Sequence, residues 1–104
     1  MNQNMSPEEF REVAEKAIVL DVRTPMEYQM GHIPGSRNID ISSPEFVTTI
    51  EQLDRDQPYA LYCRSGSRSA SAIQMMDQMG FAQVGHLETG LLDWNDELTT
   101  GEEQ

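Results

Sequence analysis

The chain has 104 residues, which is enough for one small domain with a single hydrophobic core. Its 18 acidic side chains outnumber 7 basic ones and give a net charge of −11, which argues against nucleic acid and anionic membranes as partners. A single cysteine rules out an internal disulfide, and no apolar run approaches the roughly 18 residues of a membrane span, so we expect a cytoplasmic protein.

The first half of the chain alternates helical and strand patterns. Residues 6–16 begin with a capping box that has proline at the first helical position, and they predict a first helix. Residues 17–22 form an apolar run rich in β-branched side chains, which predicts a strand buried on both faces. The capping pattern recurs in residues 24–31 and predicts a short helix, which glycine ends. Polar and apolar side chains then alternate in residues 37–41, as in a strand near a sheet edge.

The second half continues the alternation. Residues 43–53 carry apolar side chains on one helical face, and residues 59–62 are an apolar run that predicts a central strand. A longer helix is predicted over residues 67–79, a short strand over 83–87 and a last helix over 90–98. Strands that alternate with helices predict the α/β class, with a parallel sheet and helices on both faces.

The loop between the central strand and the longer helix holds the best candidate for chemistry. Its sequence, Cys63–Ser69, places a nucleophile at the carboxyl end of a strand and before the N-terminus of a helix. Open α/β sheets bind ligands at such places, and the helix dipole there favours an anion. Small residues at 65–67 allow successive backbone N–H groups to point at one centre. We interpret the stretch as an anion-binding catalytic loop.

Cys63 has two interpretations. Free cysteines are often buried and chemically inert, and many simply end a core strand. An inert core cysteine, however, has no use for two nearby cations, Arg64 and Arg68, and for a glycine turn. A thiol in this setting is expected to have a lowered pKa and to react as a thiolate near neutral pH.

Several motifs together resemble those of the rhodanese (sulfurtransferase) family. The matching stretches are Asp21–Arg23, Glu27–Tyr28, Gly31–Gly35, Cys63–Ser69 and Gly90–Trp94. The resemblance implies a rhodanese-like α/β fold in which residues 6–98 form one domain and residues 1–5 and 99–104 are flexible termini. The family has a short strand before the first helix, but only five residues precede Ser6 here. We therefore expect about four main strands, with the usual N-terminal strand missing or rudimentary.

The resemblance also implies a reaction. Cys63 would attack the outer sulfur of thiosulfate or a similar sulfur donor, and a thiophilic acceptor would remove the sulfur from the resulting persulfide. No metal and no cofactor are implied. Cysteine phosphatases have five residues between the nucleophile and the arginine, whereas this loop has four, so its smaller ring suits a single sulfur. The expected substrate-binding residues are Arg64, Ser65, Gly66, Ser67, Arg68 and Ser69.

Polar residues outside the loop are expected to support the site rather than to react. Asp21 ends a buried strand, where a carboxylate needs a partner, and Arg23 could pair with it or with Glu27. His32 is expected to hold the turn at residues 31–35 in place. His86 lies in a weak strand pattern and is expected to be structural or exposed.

Two other functions remain open at this stage. The protein could be a persulfide carrier that delivers sulfur to a protein partner in a sulfur relay. It could also be a sensor of anions or of cysteine oxidation without turnover. The sequence does not distinguish small-molecule acceptors from protein acceptors. We expect a monomer in each case.

Overall fold

The computed structural model describes residues 1–101. Within this part of the chain, five strands form one parallel sheet in the order β1-β5-β4-β2-β3. The α/β class and the parallel sheet predicted from the sequence are therefore confirmed. The elements are β1 (Asn4–Met5), α1 (Pro7–Val13), β2 (Ile18–Asp21), α2 (Pro25–Met30), β3 (Arg37–Asn38), α3 (Phe46–Glu51), β4 (Pro58–Tyr62), α4 (Ser67–Gln78), β5 (Gln83–Leu87) and a 3-10 helix (Gly90–Asp93).

Apolar side chains cover both faces of the sheet and form two groups of core residues. Successive residues of β2 and β4 contribute to opposite groups, as the two-residue period of a strand requires. One group includes Leu20, Leu61, Phe46, Ile50 and Met76, and the other includes Val19, Tyr62, Phe10, Met5 and Leu87. The middle strand β4 is consequently fixed from both sides, which gives the residue that follows it a rigid base.

The N-terminal segment contains the rudimentary strand that the sequence left open. Asn4 and Met5 form this strand, β1, which pairs in parallel with His86 and Leu87 of β5. The Met5 side chain is fully buried in the core. Burial of Met5 and pairing with β5 thus attach these two residues to the sheet, although both lie in the terminus predicted to be flexible.

The C-terminal segment also departs from expectation. Thr99 and His32 exchange two backbone hydrogen bonds of 2.8 Å, so part of the terminus predicted to be flexible is attached to the body of the domain. Residues 102–104 of that terminus lie outside the described residues. The predicted last helix over 90–98 is wrong beyond its first turn, because Trp94 already has an extended backbone (φ −106°, ψ 119°).

Other helix boundaries differ from the predicted ones by a few residues, and local hydrogen bonds explain the differences. Both predicted capping boxes are present, at Ser6 and at Thr24. Helix α1 ends at Val13 because the N–H groups of Glu15 and Lys16 bond three residues back rather than four. No helix among residues 1–101 is long and apolar enough to cross a membrane.

Candidate active site

Cys63 comes directly after β4, which lies between β5 and β2 in the sheet. Four residues later the chain enters α4, so the sulfur lies between a strand end and a helix N-terminus, as the sequence predicts. The residue is completely buried. Its sulfur is therefore surrounded by protein groups, and their hydrogen bonds decide its chemistry.

Three groups surround the Cys63 sulfur. The backbone N–H of Gly66 donates to Sγ at 3.1 Å, and the backbone N–H of Ser69 donates at 3.4 Å. The Ser69 hydroxyl oxygen lies 3.5 Å from Sγ. Burial raises the pKa of the Cys63 thiol, but hydrogen bonds from Ser69, Gly66 and Ser65 more than offset it, and the pKa is lowered overall. The loop thus stabilises negative charge on the sulfur.

Gly66 determines the path of the loop. It precedes α4 with a left-handed backbone (φ 104°), which L side chains rarely adopt. A Cβ atom at this position would overlap the carbonyl oxygen of Glu88, which follows β5. Only glycine therefore lets the loop lie against the end of β5 while its N–H points at Cys63.

The segment after β5 holds the loop from the other side. The N–H groups of Leu91 and Leu92 donate to the carbonyls of Cys63 and Arg64, both at 3.1 Å. Gly90 allows this approach, because a Cβ there would overlap the Arg64 carbonyl oxygen. The 3-10 helix at 90–93 therefore acts as a backbone clamp on the nucleophile loop, a role that the sequence did not indicate.

The remaining loop residues differ in exposure. Arg64, Ser65 and Ser67 are exposed, whereas Ser69 is fully buried and Arg68 is partly buried. Of the six residues predicted to bind substrate, Gly66 and Ser69 contact the Cys63 sulfur directly. Ser65 also stabilises the Cys63 thiolate through a backbone hydrogen bond, and the binding roles of Arg64, Ser65, Ser67 and Arg68 remain predictions.

Arg68 already has a partner. Its Nη1 and Nη2 atoms donate to the two carboxylate oxygens of Glu27 at 2.8 Å and 3.1 Å, a bidentate ion pair with about a third of each side chain exposed. The guanidinium, together with N–H and hydroxyl groups of Thr24, lowers the pKa of Glu27 to about 2. Glu27 is therefore a carboxylate throughout the neutral range, and it engages both Nη atoms of Arg68.

Asp21 and Arg23 form a second, buried ion pair. Arg23 Nη2 donates to Asp21 Oδ2 at 2.6 Å, and its Nε donates to the same carboxylate. The guanidinium also donates to the Gly31 carbonyl at 2.7 Å. The pair thus joins the end of β2 to the end of α2. Of the two partners considered for Arg23, the structure has Asp21.

His32 lies in the turn after α2. Its Nδ1 is 2.7 Å from the Tyr28 carbonyl oxygen, and its ring stacks on the Tyr28 ring with the centroids 3.6 Å apart. The next backbone N–H, that of Ile33, donates to the Tyr62 hydroxyl at 2.9 Å. These contacts tie the turn to α2 and to the end of β4.

His86 is the residue that sequence reasoning missed. It is only 2% exposed, and its Nδ1 lies 2.7 Å from the Ser69 hydroxyl oxygen that approaches Cys63. Its Nε2 lies 2.9 Å from Asn4 Oδ1. The available signal was its position near the carboxyl end of a strand, but only the strand order shows that β5 is beside β4. Among residues 1–101, no three or more His, Cys, Asp or Glu side chains are grouped to hold a metal ion.

Comparison with known proteins places this geometry in a family. The sequence profile of the rhodanese-like domain matches residues 6–97. A protein named thiosulfate sulfurtransferase GlpE, from Pseudomonas paraeruginosa, is 38% identical over 105 residues, which cover 96% of this chain and 94% of that protein. The crystal structure of a rhodanese-related protein from Thermoplasma volcanium superimposes with a TM-score of 0.80 at 34% identity, and it covers 89% of this chain and 90% of the other.

A longer relative contains a similar domain. The protein named probable adenylyltransferase/sulfurtransferase MoeZ, from Mycobacterium tuberculosis, is 32% identical over 93 residues, which cover 86% of this chain and 24% of that protein. The profile match spans the nucleophile loop, both capping boxes and the 3-10 clamp. The chain therefore belongs to the rhodanese-like domain family.

Proposed function

We propose that this protein is a thiosulfate sulfurtransferase that carries the transferred sulfur as a persulfide on Cys63. The observation that carries the proposal is the pair of backbone N–H groups, from Gly66 and Ser69, that point at the Cys63 sulfur. Identity of 38% with a protein named thiosulfate sulfurtransferase supports the same activity. We place the reaction in the cytoplasm and within a domain of residues 6–98.

The first half-reaction is a nucleophilic displacement at sulfur. The Cys63 thiolate attacks the outer sulfur of thiosulfate, and a new S–S bond forms. The bond between the two sulfurs of thiosulfate breaks, and sulfite leaves with its electron pair. The product is a Cys63 persulfide whose outer sulfur carries the negative charge. The N–H groups of Gly66 and Ser69 would stabilise this charge as an oxyanion hole does.

The second half-reaction returns the enzyme to its starting state. A thiophile such as cyanide or a thiolate attacks the outer sulfur, and the persulfide S–S bond breaks. Cys63 leaves as a thiolate, which the same N–H groups stabilise. Since a stabilised thiolate is a good leaving group, the lowered pKa of Cys63 serves both halves of the cycle.

Arg68 is the proposed binding site for the sulfonate oxygens of the donor. Its planar guanidinium already accommodates a two-oxygen anion, the Glu27 carboxylate, in the bidentate geometry that a sulfonate would need. Arg64 is exposed on the loop and provides a second positive charge for attraction of the donor. On a chain with net charge −11, these two cations mark the loop as the place for an anion.

Steady-state kinetics tests this proposal. We expect thiocyanate formation from thiosulfate and cyanide with ping-pong kinetics, which shows as parallel lines in double-reciprocal plots. Cys63→Ser is expected to abolish turnover and to keep the melting temperature, since the two side chains have similar size. Activity that survives in Cys63→Ser would overturn the assignment of the nucleophile.

A persulfide carrier is the second candidate, and the relative named adenylyltransferase/sulfurtransferase supports it because there a similar domain is joined to other activities. In a carrier, the physiological acceptor would be a group on a protein partner, such as a protein thiol, rather than a small thiophile. Release of sulfur from loaded Cys63 to cyanide and to a protein acceptor distinguishes the two. A carrier would load from thiosulfate but lose its sulfur slowly to small thiophiles. A non-turnover sensor would not load at all.

A further inference from the structure

A line of polar groups, buried as far as His86 and ending at the exposed Asn4, leads away from Cys63. Its sulfur is 3.5 Å from Ser69 Oγ, which is 2.7 Å from His86 Nδ1, and His86 Nε2 is 2.9 Å from Asn4 Oδ1. Cys63, Ser69 and His86 are each at most 2% exposed. The line joins the ends of three elements, namely β4, α4 and β5, to the short strand β1. We call it the Cys63–Asn4 relay.

The direction of each hydrogen bond in the relay follows from donor chemistry. Asn4 Oδ1 can only accept, so His86 Nε2 carries a hydrogen. In the neutral ring, Nδ1 is then an acceptor. Ser69 has one hydroxyl hydrogen, and it points at Nδ1, which is closer (2.7 Å) than the Gly66 carbonyl oxygen (3.3 Å). With a neutral His86, Ser69 is therefore an acceptor for the Cys63 thiol.

When Cys63 is a thiolate, the hydrogen bonds of the relay must run in the opposite direction. An ionised Cys63 sulfur needs donors, but Ser69 cannot donate to it while its only hydrogen points at a neutral His86. If Nδ1 carries a hydrogen, it donates to Ser69 Oγ, and Ser69 can then donate to the thiolate. A hydrogen bond from the Ser69 hydroxyl to the thiolate thus requires a protonated His86.

We propose that Ser69 and His86 relay the proton that Cys63 loses. The Sγ–H bond breaks and the proton passes to Ser69 Oγ, while the hydroxyl proton of Ser69 passes to His86 Nδ1. Ser69 ends as it began, Cys63 becomes a thiolate, and His86 becomes an imidazolium that Asn4 holds through Nε2–H. The net charge of the buried site does not change. This inference rests on the proposed function, in which Cys63 reacts as a thiolate.

Burial is the physical reason for such a relay. A lone charge in an apolar interior is costly, whereas a thiolate that forms together with an imidazolium is paired. Burial lowers the pKa of His86, so its ring is neutral in the resting site. The neutral ring can accept a proton when the Cys63 thiolate forms beside it. The same pair would assist the second half-reaction, in which Cys63 again leaves as a thiolate. His86 acts through Ser69 and is therefore a positioning residue.

Other charges near the relay do not replace His86. Charged groups on neighbouring elements are Glu88 just after β5, Arg68 on α4, Glu9 on α1 and the amino terminus at Met1. Glu88 favours the imidazolium, although burial outweighs it in the pKa of His86. Arg68 is paired with Glu27, and Glu9 with Asn2 and the Ser6 N–H. Strand β4 contributes no carboxylate and no basic side chain.

The pH dependence of Cys63 alkylation tests the relay without any sulfur donor. Because Cys63 is the only cysteine, reaction with iodoacetamide reports its thiolate directly. His86→Asn keeps a polar side chain that can contact Ser69 but cannot be protonated. We expect its alkylation midpoint to rise by about one pH unit, so that the rate below the midpoint falls about tenfold. Asn4→Asp, which stabilises the imidazolium, is expected to lower the midpoint.

Nitrogen NMR of the wild-type protein provides a second readout, for which Cys63→Ser is the reference without a thiolate. When ultraviolet absorbance shows a Cys63 thiolate, both ring nitrogens of His86 are expected to be protonated. In Cys63→Ser at the same pH, only Nε2 is expected to carry a hydrogen.

A neutral His86 beside a formed thiolate would overturn the relay, and so would a folded His86→Asn protein with an unchanged alkylation midpoint. Failure of the wild type to transfer sulfur while both readouts behave as expected would overturn the proposed function and leave the relay intact.

Discussion

In the proposed function, Glu27 and an anionic sulfur donor compete for the guanidinium of Arg68. Both Nη atoms of Arg68 are engaged by the Glu27 carboxylate, so a sulfonate must displace Glu27 to bind in a bidentate manner. Glu27→Gln removes the competing charge. Its amide oxygen can still accept from the Thr24 N–H, so the capping box of α2 is retained. We predict that this variant binds thiosulfate more tightly than the wild type.

The size of the effect follows from the exposure of the pair. With about a third of each side chain exposed, the pair contributes about 0.2–1 kcal/mol. Release of Arg68 should therefore lower KM for thiosulfate by about 1.4- to 5-fold and leave kcat nearly unchanged. The gain should shrink as salt is added, because screening weakens both the ion pair and the attraction of the donor.

Steady-state thiocyanate formation at fixed cyanide measures this change. Glu15→Gln is the matched control, because it removes the same charge from an exposed position just before β2, whereas the site lies at the carboxyl ends of the strands. A lower KM in both variants would mean that net charge alone is responsible. A higher KM in Glu27→Gln would refute competition and show that Glu27 orients Arg68 for the donor.

Three further predictions concern the same loop. Arg68→Ala should reduce kcat/KM for thiosulfate by about 10- to 100-fold, for a loss of about 1.5–3 kcal/mol, while alkylation of the thiolate by a neutral reagent changes little; equal losses in both assays would contradict this. Gly66→Ala should lower the free energy of unfolding by about 1–3 kcal/mol in urea titrations, because of its left-handed backbone and the overlap with Glu88; an unchanged value would show that the loop can move away. Because folding lowers the pKa of Glu27 to about 2, the ionised carboxylate stabilises the fold fully above pH 4.5, and this contribution is lost as the pH falls towards 2. The free energy of unfolding of Glu27→Gln should therefore fall less over this pH range than that of the wild type; equal losses in both proteins would contradict this.

The features that could be predicted from the sequence are those that depend on residues close together in the chain. The capping boxes at Ser6 and Thr24 are formed by residues three apart, and the structure has both. The turn before α4 needs a glycine, and the sequence has Gly66 there. Each of these features depends on neighbours in the chain, so a short stretch of sequence contains all the information needed.

The features that sequence reasoning missed depend on distant parts of the chain. The approach of His86 to Ser69 requires β5 to lie beside β4, and the partner of Arg68 lies 41 residues away, at Glu27. We expected the arginines to lower the pKa of Cys63. The pKa is lowered as expected: burial raises it, and hydrogen bonds from Ser69, Gly66 and Ser65 more than offset burial. Arg68, although paired with Glu27, also interacts electrostatically with Cys63.

The N-terminal strand shows a different limit. Strand β1 has only two residues, too few for a recognisable alternation of polar and apolar side chains. Its place in the sheet depends on one buried side chain, Met5, and on pairing with His86 and Leu87. The same pairing brings Asn4 to His86, so the least predictable element of the fold also contributes to the proposed relay.

Labelled thiosulfate provides the sharpest test of sulfur transfer through a Cys63 persulfide. The protein would be mixed with thiosulfate labelled either at the outer or at the inner sulfur, and its intact mass and the label on the Cys63 peptide would be measured before and after addition of cyanide. We predict a gain of one sulfur atom, labelled only from the outer position, located on Cys63 and removed by cyanide, with no gain in Cys63→Ser. No gain in mass at any thiosulfate concentration, or label that arrives from the inner sulfur, would contradict sulfur transfer through a Cys63 persulfide.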